Sequence, residues 1–364
     1  MNPRKWAKRL AIALAAIAAP AALPAIYVET SCIAPAASRR APETSPFAIP
    51  DPGYRRAEGD SFLTFPEWYI VHAYTDLAGV ARQSSESAFD YLATIAGFWR
   101  AMCRATIAAG TAGDVTAGQK ITNHIIGLSF TAEMAVIGAY ERTYGALTAW
   151  LRGPTRTAED EFALSVADDY AAFLWQTPWY EYPFQSQLRR FWRETPWAHG
   201  NLVRGLERRF ALTAQYGGKS VYAVAMAALA GYAPADLRLR SVVAGTTAAD
   251  LATDPRIKPI RTLEGGALLI ETPRYREFTA ILRQFAAQKR DMVEIAGNRR
   301  ILVTILVPPG TTLATPGAAG IFDLPIQSRP GWHRIGYDAE VKSLTRLIAT
   351  VEQQGAVFEH AYDY

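Results

Sequence analysis

Two stretches of the chain concentrate the residue types that acid-base chemistry needs. The first runs Thr64-Phe-Pro-Glu-Trp-Tyr-Ile-Val-His-Ala-Tyr-Thr-Asp76. His72 and Asp76 stand four apart, so a helix would put them on one face and let the carboxylate orient or charge the imidazole. Glu67 lies five before His72, about 140° around such a helix, too far to join them within one turn. The second stretch, Ile121 to Tyr140, is apolar but holds Asn123, His124, Ser129 and Glu133. A glutamate buried there has its pKa raised by desolvation and becomes a general acid or base, unless Arg142 or Arg104 neutralises it. His124 and Glu133 fall on opposite sides of their own helix. Glu67, His72, Asp76, His124 and Glu133 therefore make a candidate catalytic set only if the two helices face each other. Their spacing lacks the Glu-x-x-His signature of di-iron bundles, so no metal is assigned and no cofactor is expected.

Other catalytic signatures are absent. There is no G-x-S-x-G elbow, H-E-x-x-H, C-x-x-C or dinucleotide fingerprint. Gly217-Gly218-Lys219-Ser220 imitates the end of a phosphate-binding loop, but Thr213 stands where glycine is required and a helix is expected where a strand must precede it. No nucleotide partner follows, and Gly217-Gly218 reads as a helix break.

The elements that would position these residues begin with residues 1–32, which read as a signal anchor. Arg4, Lys5, Lys8 and Arg9 precede nineteen uncharged residues, Leu10 to Val28. As a helix these rise about 28 Å, close to the roughly 30 Å of a bilayer's hydrocarbon core. Cleavage near Ala19-Pro20-Ala21 is the competing reading; the length of the run favours an uncleaved, single-pass transmembrane helix. The basic flank stays in the cytoplasm, which places the body in the periplasm on a bacterial inner membrane. The net charge of +4 belongs entirely to that flank. The body is neutral, so nucleic acid is excluded as a partner. In an oxidising compartment the two cysteines, Cys32 and Cys103, are candidates for a disulfide.

The body divides three ways. Residues 33–60, with Pro35, Pro42, Pro46, Pro50 and Pro52, read as an extended linker. Residues 61–235 carry helical periodicity and predict an all-α domain, opened by a Thr64/Glu67 capping box. In residues 236–364 the order βαββ(β)αβ predicts a ferredoxin-like α/β sandwich, with Asp291–Ala296 and Arg300–Val307 as a hairpin and no internal repeat. The fold class is thus α+β. Within the helical domain, Phe184, Leu188, Phe191 and Trp192 are opposed by Arg189, Arg190 and Arg193, a composition that fits a helix contacting membrane and equally an aromatic core under proline-broken loops.

Around Thr64-Phe-Pro-Glu-Trp-Tyr-Ile-Val, Ile126-Gly-Leu-Ser-Phe-Thr-Ala-Glu133 and Glu359-His-Ala-Tyr-Asp-Tyr364, the chain resembles a family of uncharacterised bacterial exported or membrane-anchored proteins. The resemblance implies architecture and no activity. The terminal hexapeptide is expected to be an edge strand with a solvated acidic face. Two functions follow as expectations: a non-catalytic, membrane-anchored periplasmic protein that binds the lipid bilayer or an envelope protein partner, or an enzyme acting on a lipid or amphipathic substrate through the His/carboxylate set.

Overall fold

The helical periodicity is realised, and it reaches further toward the N-terminus than the expected boundary. The computed structural model describes residues 23–40, 45–51, 53–113, 115–196, 201–229 and 237–364. The helical part comprises α1 (23–31), α2 (Glu58–Leu63), α3 (Phe65–Gln83), α4 (Tyr91–Ala112), α5 (Ala117–Tyr140), α6 (Ala146–Arg152), α7 (Ala158–Leu174), α8 (Phe184–Glu194) and α9 (Leu202–Leu229). Residues 1–22, most of the expected anchor, lie outside the described residues. Among those described, no helix is long and apolar enough to cross a membrane.

Local details depart from expectation where neighbours override the local signal. Thr64 makes no side-chain cap, because α2 runs directly into α3 and holds Thr64 in helical conformation; its hydroxyl donates to the Ser61 carbonyl instead (2.8 Å). Thr157 and Asp160 do form a capping box at the start of α7. Gly217 and Gly218 do not break α9. Just past them Lys219 is pinned to Glu133 (2.8 Å) and to the Tyr74 hydroxyl (3.0 Å), which offsets the low helix propensity of two glycines.

Cys32 and Cys103 form a disulfide, tying the end of α1 to the middle of α4. An oxidising, extracytoplasmic compartment is the setting in which such a bridge persists.

The C-terminal part contains two four-stranded antiparallel sheets rather than the single sheet of a ferredoxin-like sandwich. The first uses β1 (Arg238–Ala244), β2 (Lys258–Thr262), β3 (Leu268–Pro273) and β4 (Asp291–Ile295); the second uses β5 (Arg300–Val307), β6 (Ala318–Pro325), β7 (His333–Glu340) and β8 (Val357–Tyr362). The orders are β2-β3-β1-β4 and β6-β7-β5-β8, the same topology twice, with a helix before each last strand: α11 (Arg276–Ala287) and α12 (Leu344–Gln353). A short α10 (Ala248–Leu251) links β1 to β2. The fold therefore repeats although the sequence does not. β4 and β5 are no hairpin: beyond a single bridge from Ile295 to Asn298, β4 pairs with β1 and β5 with β7 and β8. Ala296 and Gly297, both at positive φ, turn the chain from one sheet to the other.

Burial explains the split. The apolar helix faces, Phe278, Ile281, Leu282 and Phe285 on α11 and Leu344, Leu347, Ile348 and Val351 on α12, join one core that takes strand residues from both sheets. On β5, Ile301, Val303 and Ile305 face that core, while Leu302 faces a second one shared with Phe62, Phe65 and Trp68 of the helical part. The second sheet is covered on both faces. The expected linker is partly structural as well: Tyr54 is buried against the first sheet and donates to Glu294, and Arg56 donates to the carbonyls of Tyr364 (2.6 Å) and Arg238 (3.0 Å).

Candidate functional site

A buried polar cluster lies where α3 meets β7 and β8. His72 Nε2 is 2.9 Å from the Tyr362 hydroxyl, which is 3.1 Å from Thr304 Oγ1. His72 Nδ1 lies 3.7 Å from Glu359 Oε1, and Glu359 accepts two hydrogen bonds from Arg334 (2.6 and 2.8 Å). Asp76 accepts from Ser328 (2.7 Å). His360 stacks on Trp68 with ring centroids 3.7 Å apart and places Nδ1 3.0 Å from Thr279 Oγ1.

Burial dominates the electrostatics of this cluster. It pushes His72 well below its ordinary range, with Arg334 acting in the same direction, and pushes His360 down to about 3 despite the pull of Glu359. Burial alone would raise Glu359, but Arg334, helped by His72, outweighs it and holds the carboxyl at about 2. Asp76 is raised by burial, against the opposing pull of Arg334. At neutral pH the cluster thus holds two neutral imidazoles and one bidentate ion pair.

The five candidate catalytic residues are distributed rather than gathered. His72 turns to Tyr362 and Glu359. Asp76 turns to Ser328, not to His72. Glu67 points away from this cluster with its side chain exposed, its carboxyl raised by desolvation and partly offset by Arg274. His124 pairs with Glu29 (2.8 Å), and Glu133 with Lys219. Burial would raise Glu133, but Lys219 and the Tyr74 hydroxyl bring it below its ordinary value. Among the described residues no group of three or more His, Cys, Asp or Glu could hold a metal ion.

The terminal hexapeptide lies at the end of its sheet order, as expected of an edge, but its acidic face is not solvated. Glu359 is paired with Arg334, and Asp363 accepts from the backbone N–H of Tyr275 (2.7 Å). Sequence pattern pointed to the hexapeptide without identifying its partners, because Arg334 lies on a strand whose alternation gives no sign of an internal cation.

A second feature concerns the surface. Helix α9 carries Arg204, Glu207, Arg208, Arg209 and Lys219, and none of their side chains is more than 12% exposed. Arg204 donates to Asp160 (2.9 Å) and Glu207 (2.9 Å), Arg208 to Glu141 (2.8 Å), and Arg209 is 2.9 Å from Glu159. A π-helical turn, Glu141–Gly145, joins α5 to α6 and places Glu141 inward for this contact. The outer side of α9 shows Leu206, Phe210, Val221 and Val224 at 61–75% exposure. Trp150 and Leu147 on α6, and Ile121, Ile125 and Val136 on α5, are exposed in the same way. Charge lies inside and hydrocarbon outside, the reverse of a water-facing amphipathic helix.

The residues expected to touch membrane on α8 divide differently. Phe184 and Phe191 are buried in the helical core, Leu188 packs at its edge, and Arg190 lies over the Phe162 ring; Arg189, Trp192 and Arg193 remain exposed. Phe184 and Phe191 of α8 are therefore core, while Trp192 stays outside, and a larger exposed apolar surface lies on α5, α6 and α9. Comparison with protein-family models, with characterised proteins and with solved structures finds no match to this chain.

Proposed function

We propose that this is a single-pass, inner-membrane-anchored protein with its body in the periplasm, whose helical part rests on the outer surface of the bilayer through α5, α6 and α9 in a non-catalytic role. The inside-out pattern of α9 carries the reading. Fully burying one large aliphatic or aromatic side chain is worth about 1.5–3 kcal/mol. Phe210, Val221, Val224, Leu206 and Trp150 forgo most of that in water, while desolvated arginines cost free energy unless paired as they are here. Ionisable groups turned inward beneath an apolar exterior suit a helix layer in contact with lipid.

The N-terminal segment supports the bilayer as the occupant. Glu29 on α1 reaches Lys120 (3.2 Å) and His124 (2.8 Å), next to the exposed Ile121 and Ile125 of α5. Leu23, Ile26 and Tyr27 of α1 are exposed too, so the described end of the apolar N-terminal run, residues 23–28, lies beside the apolar face of α5. Dispersal of the five candidate catalytic residues favours this role over the enzyme alternative.

The test is depth-resolved quenching of a fluorophore on the full-length protein in phospholipid nanodiscs, attached through F210C or, as a control on β2, through K258C. Lipid-borne quenchers should dim the label at position 210 and aqueous iodide the label at 258. Equal access of iodide to both positions refutes the proposal.

A further inference from the structure

A cavity of about 700 Å³ lies between α3, α7 and α11, closed at its base by β8 and the segment around Ser328. Its size falls within the range of small-molecule sites. Five arginines line it, Arg82, Arg276, Arg283, Arg329 and Arg334, against three acidic residues, Asp76, Asp168 and Glu359. Three of the arginines are matched: Arg82 by Asp168, Arg334 by Glu359 (2.6 Å), and Arg283 by Glu352 (3.2 Å). Among the described residues Arg276 has no acidic partner, and Arg329 has only the face of Trp332 (5.6 Å).

A buried, unpartnered ring nitrogen adds to this. His360 lines the cavity and is fully buried, and its Nε2 has no hydrogen-bond partner. The Thr279 hydroxyl accepts from the Ala361 N–H (3.2 Å) and lies 3.0 Å from His360 Nδ1, so Nε2 is the ring nitrogen open to a ligand, as donor or acceptor according to the tautomer. A buried polar atom left without a partner costs about 1–3 kcal/mol. The remaining wall, Trp175 with Ala78, Ala171, Leu306 and Ile326, is apolar and suits a carbon body.

We propose that this cavity binds an organic phosphate, its oxygens held by Arg276 and Arg329 at the rim and its body lying along Trp175 toward His360. Guanidinium groups match phosphate geometry, and two of them offer more donors than a carboxylate's two oxygens use. The phosphate has two sources, a soluble phosphomonoester or the headgroup of an anionic lipid.

The experiment uses the full-length protein in neutral detergent, with glycerol 3-phosphate titrated by calorimetry, and the same protein in nanodiscs of phosphatidylcholine with or without phosphatidylglycerol. An R276Q/R329Q double variant is compared with K258Q, which removes an equal kind of charge from the distant β2. Because Arg276 and Arg329 are exposed, the double variant should keep the circular dichroism of the parent. We expect at least a tenfold loss of affinity in the double variant, with K258Q unchanged. Loss seen with glycerol 3-phosphate assigns the soluble source; loss seen only as reduced thermal stabilisation by phosphatidylglycerol assigns the headgroup. The proposal is overturned if neither probe binds, if the double variant binds as the parent does, or if K258Q loses as much.

Discussion

Replacing Glu359 by glutamine keeps the shape of the side chain and removes its charge, leaving Arg334 buried at 5% exposure without the carboxylate that accepts two of its hydrogen bonds. Two independent routes give the cost. A carboxyl held at about 2 rather than at its ordinary 4.5 corresponds to about 3 kcal/mol of stability at neutral pH. Breaking a buried ion pair by deleting one partner costs about 3–5 kcal/mol. Glu359→Gln should therefore lower stability by about 3 kcal/mol, read as the urea midpoint of the full-length protein in mild detergent at pH 7. The depressed carboxyl contributes stability that is present above pH 4.5 and is lost as pH falls toward 2, so the parent should lose this increment across that window while the variant does not. Combining Glu359→Gln with Arg334→Met should recover part of the loss, because the orphaned charge is gone. A single-variant loss below about 1 kcal/mol, or a double variant whose loss is the sum of the two single ones, refutes the claim that this pair is a coupled, desolvated unit.

Three further outcomes can be checked. Arg204→Met removes the guanidinium that Asp160 and Glu207 share, leaving them Arg152 and Arg208 as cationic neighbours, and should cost about 3 kcal/mol by chemical denaturation, whereas Phe210→Glu on the opposite face should leave stability nearly unchanged and weaken vesicle binding. The Cys32–Cys103 bridge closes a loop with a sequence separation of 71; Cys103→Ala should destabilise by up to about 4 kcal/mol, and both thiols of the parent should resist alkylation until reductant is added. His360, held at about 3 against an ordinary 6.5, takes up its proton on unfolding, so stability falls as pH drops from 6.5 toward 3, and His360→Asn should flatten that part of the profile.

Much of the element inventory was legible because it rests on local periodicity. The apolar stripes of α11 and α12 and the strands β5 and β8 follow from spacing that burial then respects. Other elements were hidden for identifiable reasons. β2, Lys-Pro-Ile-Arg-Thr, is an almost fully exposed edge with no alternation. β6 lies in a stretch rich in glycine and proline, and its inward Phe322 and Leu324 find their core only against Phe65 and its helical neighbours. The Gly297-Asn298 corner carries hairpin residues but sits between two sheets. Local turn chemistry cannot say which strands are joined across space.

The sequence by itself determined the charge asymmetry of the N-terminus, the pair of cysteines, the α+β order and the apolar stripes, all of them properties of neighbours along the chain. Tertiary structure decided what faced what. It turned Phe184 and Phe191 of α8 into the core and the arginines of α9 away from water. It gave His72 a hydroxyl and a carboxylate from 290 and 287 residues further on, Tyr362 and Glu359. An amphipathic pattern fixes that two faces differ, but which face is buried depends on partners that only the folded chain supplies.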